Sequence, residues 1–135
     1  MTSKTAEHVA AKLVRSLTVW GGASTVAGGV LALTGATPAK RAFGQQTAGW
    51  GAIDLAIAAV AAARPAPTSS SRLRTVLVVN AGLDVLYVAA GTYIAARRPS
   101  FGGRLSRAES LAHGAAITVQ GAALLILDTT HAREL

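Results

Sequence analysis

Residues 75–96 read TVLVVNAGLDVLYVAAGTYIAA, an apolar run broken only by Asn80 and Asp84 and closed by Arg97-Arg98-Pro99. Its length is close to the roughly 20 residues that a helix needs to cross about 30 Å of hydrocarbon. No alternation with period two runs through it, so a strand of a membrane barrel is not expected. Three more runs of similar length surround it, at residues 17–36, 43–63 and 111–129. Each connection carries charge and helix breakers: Pro38-Ala39-Lys40-Arg41, then Arg64-Pro65-Ala66-Pro67 with a serine run, then Arg97 to Arg104 with Pro99 and Gly102-Gly103. The expectation is an all-α chain, a four-transmembrane-helix bundle with short loops, forming a single membrane domain over residues 1–135.

Composition agrees. The chain is 51% hydrophobic and 14% charged, with mean hydropathy +0.43, whereas a soluble domain carries about 25% charged residues. Its apolar content is mainly Ala, Val, Leu and Ile, and 14 glycines accompany them. Small residues let membrane helices approach closely, because in lipid they associate by packing and hydrogen bonding. The net charge of +7 sits between the apolar runs, as in headgroup-level flanks, and not in one patch for nucleic acid. Residues 2–16, with Lys4, Glu7, Lys12 and Arg15, are expected as an N-terminal interfacial helical segment. The first run, ending near Ala36-Thr37-Pro38-Ala39, loosely fits a secretion signal, and we read it as a retained span. Ala- and Arg-rich usage suggests a GC-rich bacterial genome, and with four spans the expected location is the bacterial cell (inner) membrane, multi-pass. Flanking cations divide seven against six between the two sides, so the positive-inside rule gives no orientation.

Charged groups inside a membrane helix are expensive, at about 2.5–3.5 kcal/mol for an acid at mid-span. Asp54 and Asp84 fall near the middle of the second and third spans, and Asp128 near the end of the fourth. Helical spacing groups polar residues around them. Gln46, Trp50 and Asp54 share one face, as do Asn80, Asp84, Tyr87 and Gly91. His113, Gln120, Asp128 and His131 form a third stripe, and Trp20, Ser24 and Gly28 a fourth. Lipid cannot satisfy such stripes, so they are expected to face one another. With no Lys or Arg at that depth, Asp54 and Asp84 are expected as neutral hydrogen-bond donors or as carboxyls sharing a bound cation.

The ligand- or proton-binding candidates are therefore Asp54, Asp84, Asn80, Tyr87, Gln120, Gln46, Trp50 and Asp128. All but Gln46 have a plainer reading as well. Asp54 and Asp84 serve equally well as interhelical hydrogen-bond glue. Asn80 and Gln120 read more readily as glue, and Trp20, Trp50 and Tyr87 as packing. Asp128 and His131 read as a solvated interfacial pair. His113 and His131 stand about 27 Å apart along one helix, and no cysteine is present, so neither a metal nor a cofactor is expected. A nucleophile elbow, phosphate loop or zinc-protease motif is lacking, which makes an enzyme the less favoured class.

Three blocks resemble a family of uncharacterised small bacterial four-helix integral membrane proteins, a domain of unknown function. They are Phe43-Gly44-Gln45-Gln46 with Trp50-Gly51, then residues 80–87 with Gly91, then Gln120-Gly121 with Leu125 and Asp128. The resemblance covers spans two to four and implies a fold without an activity. Two functions fit. One is a binding or accessory protein with a polar intramembrane interior, its partners the lipid bilayer, a second copy or another membrane protein, and a small apolar or lipid-like ligand. The other is a proton-coupled small transporter or ion pathway using Asp54 and Asp84. Balanced flanks and four short spans are similar to those of small dual-topology exporters, but those carry their key acid in the first span, where this chain has none.

Overall fold

The computed structural model describes residues 3–67 and 69–135. Four helices account for nearly all of them: α1 (Ser3–Thr34), α2 (Pro38–Ala63), α3 (Ser70–Arg97) and α4 (Arg107–Arg133). At 1.5 Å per residue they are about 39–48 Å long, and all four are long and apolar enough to cross a membrane. Their starts are set locally. Thr37 accepts from the Lys40 amide with Pro38 in the first turn, and Ser69 accepts from the Arg72 amide. Ser106 and Glu109 form a reciprocal capping box at α4. After α3 the chain reverses through left-handed backbone at Arg98, Phe101, Gly102 and Gly103.

The helical segment expected ahead of the first span is continuous with it: residues 3–16 are the opening turns of α1, which runs unbroken to Thr34. The reason is an apolar stripe, Ala6, Val9, Leu13 and Leu17, spaced for one helical face. Val9 and Leu13 close over Leu73, Leu77, Ala132 and Leu135, joining the starts of α1 and α3 to the end of α4. Lys12 donates to both carboxyl oxygens of Glu134 at 2.8 and 2.7 Å. That ammonium holds the Glu134 carboxyl below its ordinary range.

The helices pair as two antiparallel hairpins, α1 with α2 and α3 with α4, which touch chiefly through α4 against α2. Each hairpin closes on glycine. A Cβ at Gly28 would stand 2.5 Å from the Ala48 amide nitrogen and 2.7 Å from the Gly44 oxygen, and one at Gly51 would stand 2.6 Å from the Thr25 nitrogen. The second hairpin repeats the arrangement, with Gly91 2.6 Å from the Thr118 nitrogen by the same measure and Gly114 facing Ala95. No side chain fits such a seam, so backbone packs on backbone. Thr25 and Thr118 return their hydroxyls to the carbonyls of Gly21 and Gly114. The outside is apolar: Val26, Leu33, Val79, Leu86 and Ile126 are among many large side chains left exposed. Such a surface belongs in a lipid bilayer, and the chain is a small multi-pass membrane protein.

Candidate functional site between the hairpins

Glycine closes each hairpin, and polar and aromatic side chains join the two. At the level farthest from the termini, His113 Nδ1 donates to Gln46 Oε1 at 3.0 Å, from α4 to α2. Nearer the middle, Trp20 Nε1 donates to Gln120 Oε1 at 2.9 Å, and Gln120 Nε2 donates to Ser24 Oγ at 3.2 Å. This ties α1 to α4. Trp50 of α2 meets Tyr87 of α3 edge to face, with ring centroids 5.0 Å apart and planes at 67°.

One turn from that aromatic pair lie the acids. Asp54 follows Trp50 by four residues and Asp84 precedes Tyr87 by three, so the two carboxyls occupy the next layer toward the termini. Asp54 is fully buried, Asp84 is 3% exposed and Asp128 is 7% exposed. The carboxyls of Asp84 and Asp128 are within hydrogen-bonding reach of each other. Two carboxyl groups so placed form a hydrogen bond when one of them carries a proton. Asp54, on α2, completes the group of three buried acids.

Among the described residues, both oxygens of Asp54 and Oδ2 of Asp84 have no hydrogen-bond partner. Among the described residues the ion pair is Lys12 with Glu134, and no cation reaches the three acids. Burying a polar group without a partner costs roughly 1–3 kcal/mol by mutational measures. The cluster therefore stores an unmet demand for hydrogen-bond donors or positive charge. Among the described residues no group of three or more His, Cys, Asp or Glu side chains is spaced to hold a metal ion.

Seven of the eight candidates named from the sequence lie on this seam: Gln46, Trp50, Asp54, Asp84, Tyr87, Gln120 and Asp128. Asn80 does not. It is exposed, because the buried line of α3 runs through Leu77, Asp84 and Gly91 at sevens, and Asn80 lies beside it on the flank facing α2. There the backbones of α2 and α3 are apart. Tyr87, on the same flank, is long enough to bridge the gap, and Asn80 is not. A second correction concerns Asp128, which is buried with Asp84 and forms no solvated pair with His131. The His131 ring is itself buried and donates from Nδ1 to its own helix at the Leu127 oxygen, 2.7 Å away. Trp20 and Ser24 join the seam as partners of Gln120, and their helical spacing was the available signal. Ser110 was missed: its hydroxyl is fully buried and has no partner among the described residues, and nothing in its sequence context marks it.

No curated protein and no solved structure matches the chain. A family model does match, over residues 16–129. This is more of the chain than the three blocks suggested, since it takes in the apolar part of α1 as well as α2 to α4. The chain belongs to the family of unknown function DUF6992.

Proposed function

We propose that this protein is a binding or accessory protein of the bacterial inner membrane, built as one four-span domain, whose intramembrane acids take a compact hydrogen-bond-donating cation. The chemistry covers a proton and a small protonated amine alike. Asp54 is the receiving group, Asp84 and Asp128 share the adjoining proton, and Trp50 and Tyr87 border the site with aromatic rings suited to a cation. Gln46, His113, Trp20, Ser24 and Gln120 hold the hairpins in register around it. The observation that carries this reading is Asp54, wholly buried with both carboxyl oxygens unpartnered among the described residues. Hydrogen-bond glue would satisfy those oxygens from a neighbouring helix, and here they are left open.

The test is thermal unfolding of the detergent-solubilised protein in methylammonium chloride against sodium chloride at equal ionic strength. A ligand present at 100 times its dissociation constant stabilises the folded state by about 2.7 kcal/mol, so a rise in midpoint with methylammonium alone is expected. Equal midpoints in the two salts, together with a bare protein mass in native mass spectrometry, would return the acids to a packing role. Uptake of labelled methylammonium by proteoliposomes then separates a resident ligand from a transported one.

A further inference from the structure

A second site lies on the outer flank of α1. Arg15, Ser16, Val19, Trp20 and Ala23, all on this one helix, line a shallow, open groove of about 410 Å³. Val19 and Gly21 are about 200° apart around the helix, so the groove lies on the side of α1 opposite its glycine seam with α2. From Ser16 to Ala39 the chain carries no charge, which places Arg15 at headgroup level with only apolar helix beyond it. Lys12, one turn earlier, is held by Glu134, whereas Arg15 is exposed and, among the described residues, in no ion pair. The groove thus has a cation with a hydroxyl beside it at one end and apolar side chains running about 12 Å inward along the helix. Its floor is Trp20, fixed in place by its bond to Gln120 at 2.9 Å.

We propose that this groove binds an anionic phospholipid, with the headgroup phosphate on Arg15 and Ser16 and one acyl chain laid along Val19, Trp20 and Ala23. The charge of Arg15 selects the headgroup, and the groove's direction down α1 matches the chain. Because Trp20 donates to Gln120, the lipid seats against a side chain that also joins the two hairpins. A bound lipid therefore braces the seam from outside.

With Trp50 replaced by phenylalanine, Trp20 is the one tryptophan of the chain and reports the test. The full chain is reconstituted in phosphatidylcholine bilayers containing a minor fraction of lipid brominated on the upper acyl chain, either phosphatidylglycerol or phosphatidylcholine. Phosphatidylglycerol is expected to occupy the groove about fivefold over phosphatidylcholine, the preference that one arginine near an anionic headgroup confers, and to quench correspondingly more tryptophan emission. Arg15→Gln removes the excess, Ala23→Leu reduces it by filling the groove, and Arg104→Gln on the far side leaves it intact. Equal quenching by the two lipids, or an excess that survives Arg15→Gln, overturns the proposal. So does relief of the excess by millimolar inorganic phosphate, which marks a plain anion site, or a groove closed to both lipids by a second copy of the chain.

Discussion

Substituting Gly28 by alanine tests the packing on which everything else rests. The new Cβ would stand 2.5 Å from the Ala48 nitrogen, where ordinary contact begins at 3.4 Å. The obstacle is backbone and cannot rotate away, so α1 and α2 must part by close to an ångström. Overpacking of this kind destabilises by about 1–3 kcal/mol. Alanine also raises helix propensity by about 1 kcal/mol over glycine, which would mask part of the loss. Gly22→Ala supplies the reference, because a Cβ there meets nothing within 4 Å and gains the same propensity. The two variants differ by one methyl group in the same helix, so their difference isolates the seam. Gly28→Ala should therefore be less stable than Gly22→Ala by about 1–3 kcal/mol, read by reversible denaturation in mixed micelles with tryptophan fluorescence. Equal stabilities within about 0.5 kcal/mol would refute backbone-to-backbone packing of the first hairpin.

Gln120→Leu removes the bonds to Trp20 and Ser24. At about 0.6 kcal/mol for an average interhelical bond and up to about 1.7 for the best, it should lose roughly 1–2 kcal/mol in the same assay. Asn80→Leu, on an exposed flank, should change stability by no more than about 0.5 kcal/mol, and a loss equal to that of Gln120→Leu would place Asn80 inside. With Gln46 and His113 both replaced by cysteine in this cysteine-free chain, a short bis-maleimide should link α2 to α4 within one molecule. Absence of that product in membranes would separate the hairpins. Glu134 has a folded-state carboxyl held below its ordinary range by Lys12, so its contribution is present above the unfolded-state value. That contribution disappears as pH falls through the lower folded value. Glu134→Gln should flatten the stability profile across that acidic interval, and an unchanged slope would show that the pairing does not stabilise the fold.

The four spans were legible because hydropathy over about 20 residues is a local property. So were the stripes containing Asp54, Asp84 and Gln120, since one helical face is also local. What stayed hidden depended on neighbours. Asn80 shares a face with Asp84 by spacing, yet which flank of α3 is backed by another helix is decided by residues far along the chain. Gly91 looked like part of the polar stripe of α3 and proved to be half of a glycine contact with Gly114. The opening turns of α1 carried a readable apolar stripe, but its partners, Leu77 and Leu135, lie over 60 residues away. The orphaned oxygens of Asp54 could not be read from sequence at all, because an unmet hydrogen bond is a statement about everything around it.

The most direct test of the central claim is Asp54→Asn, measured for thermal stability and for its response to methylammonium in the same preparation. The amide keeps the shape of the carboxyl and removes its charge. If Asp54 is a receiving group, the variant keeps its stability to within about 1 kcal/mol while stabilisation by methylammonium is lost. If the variant instead unfolds readily and any surviving fraction responds to methylammonium as the unaltered protein does, Asp54 holds helices together and binds nothing.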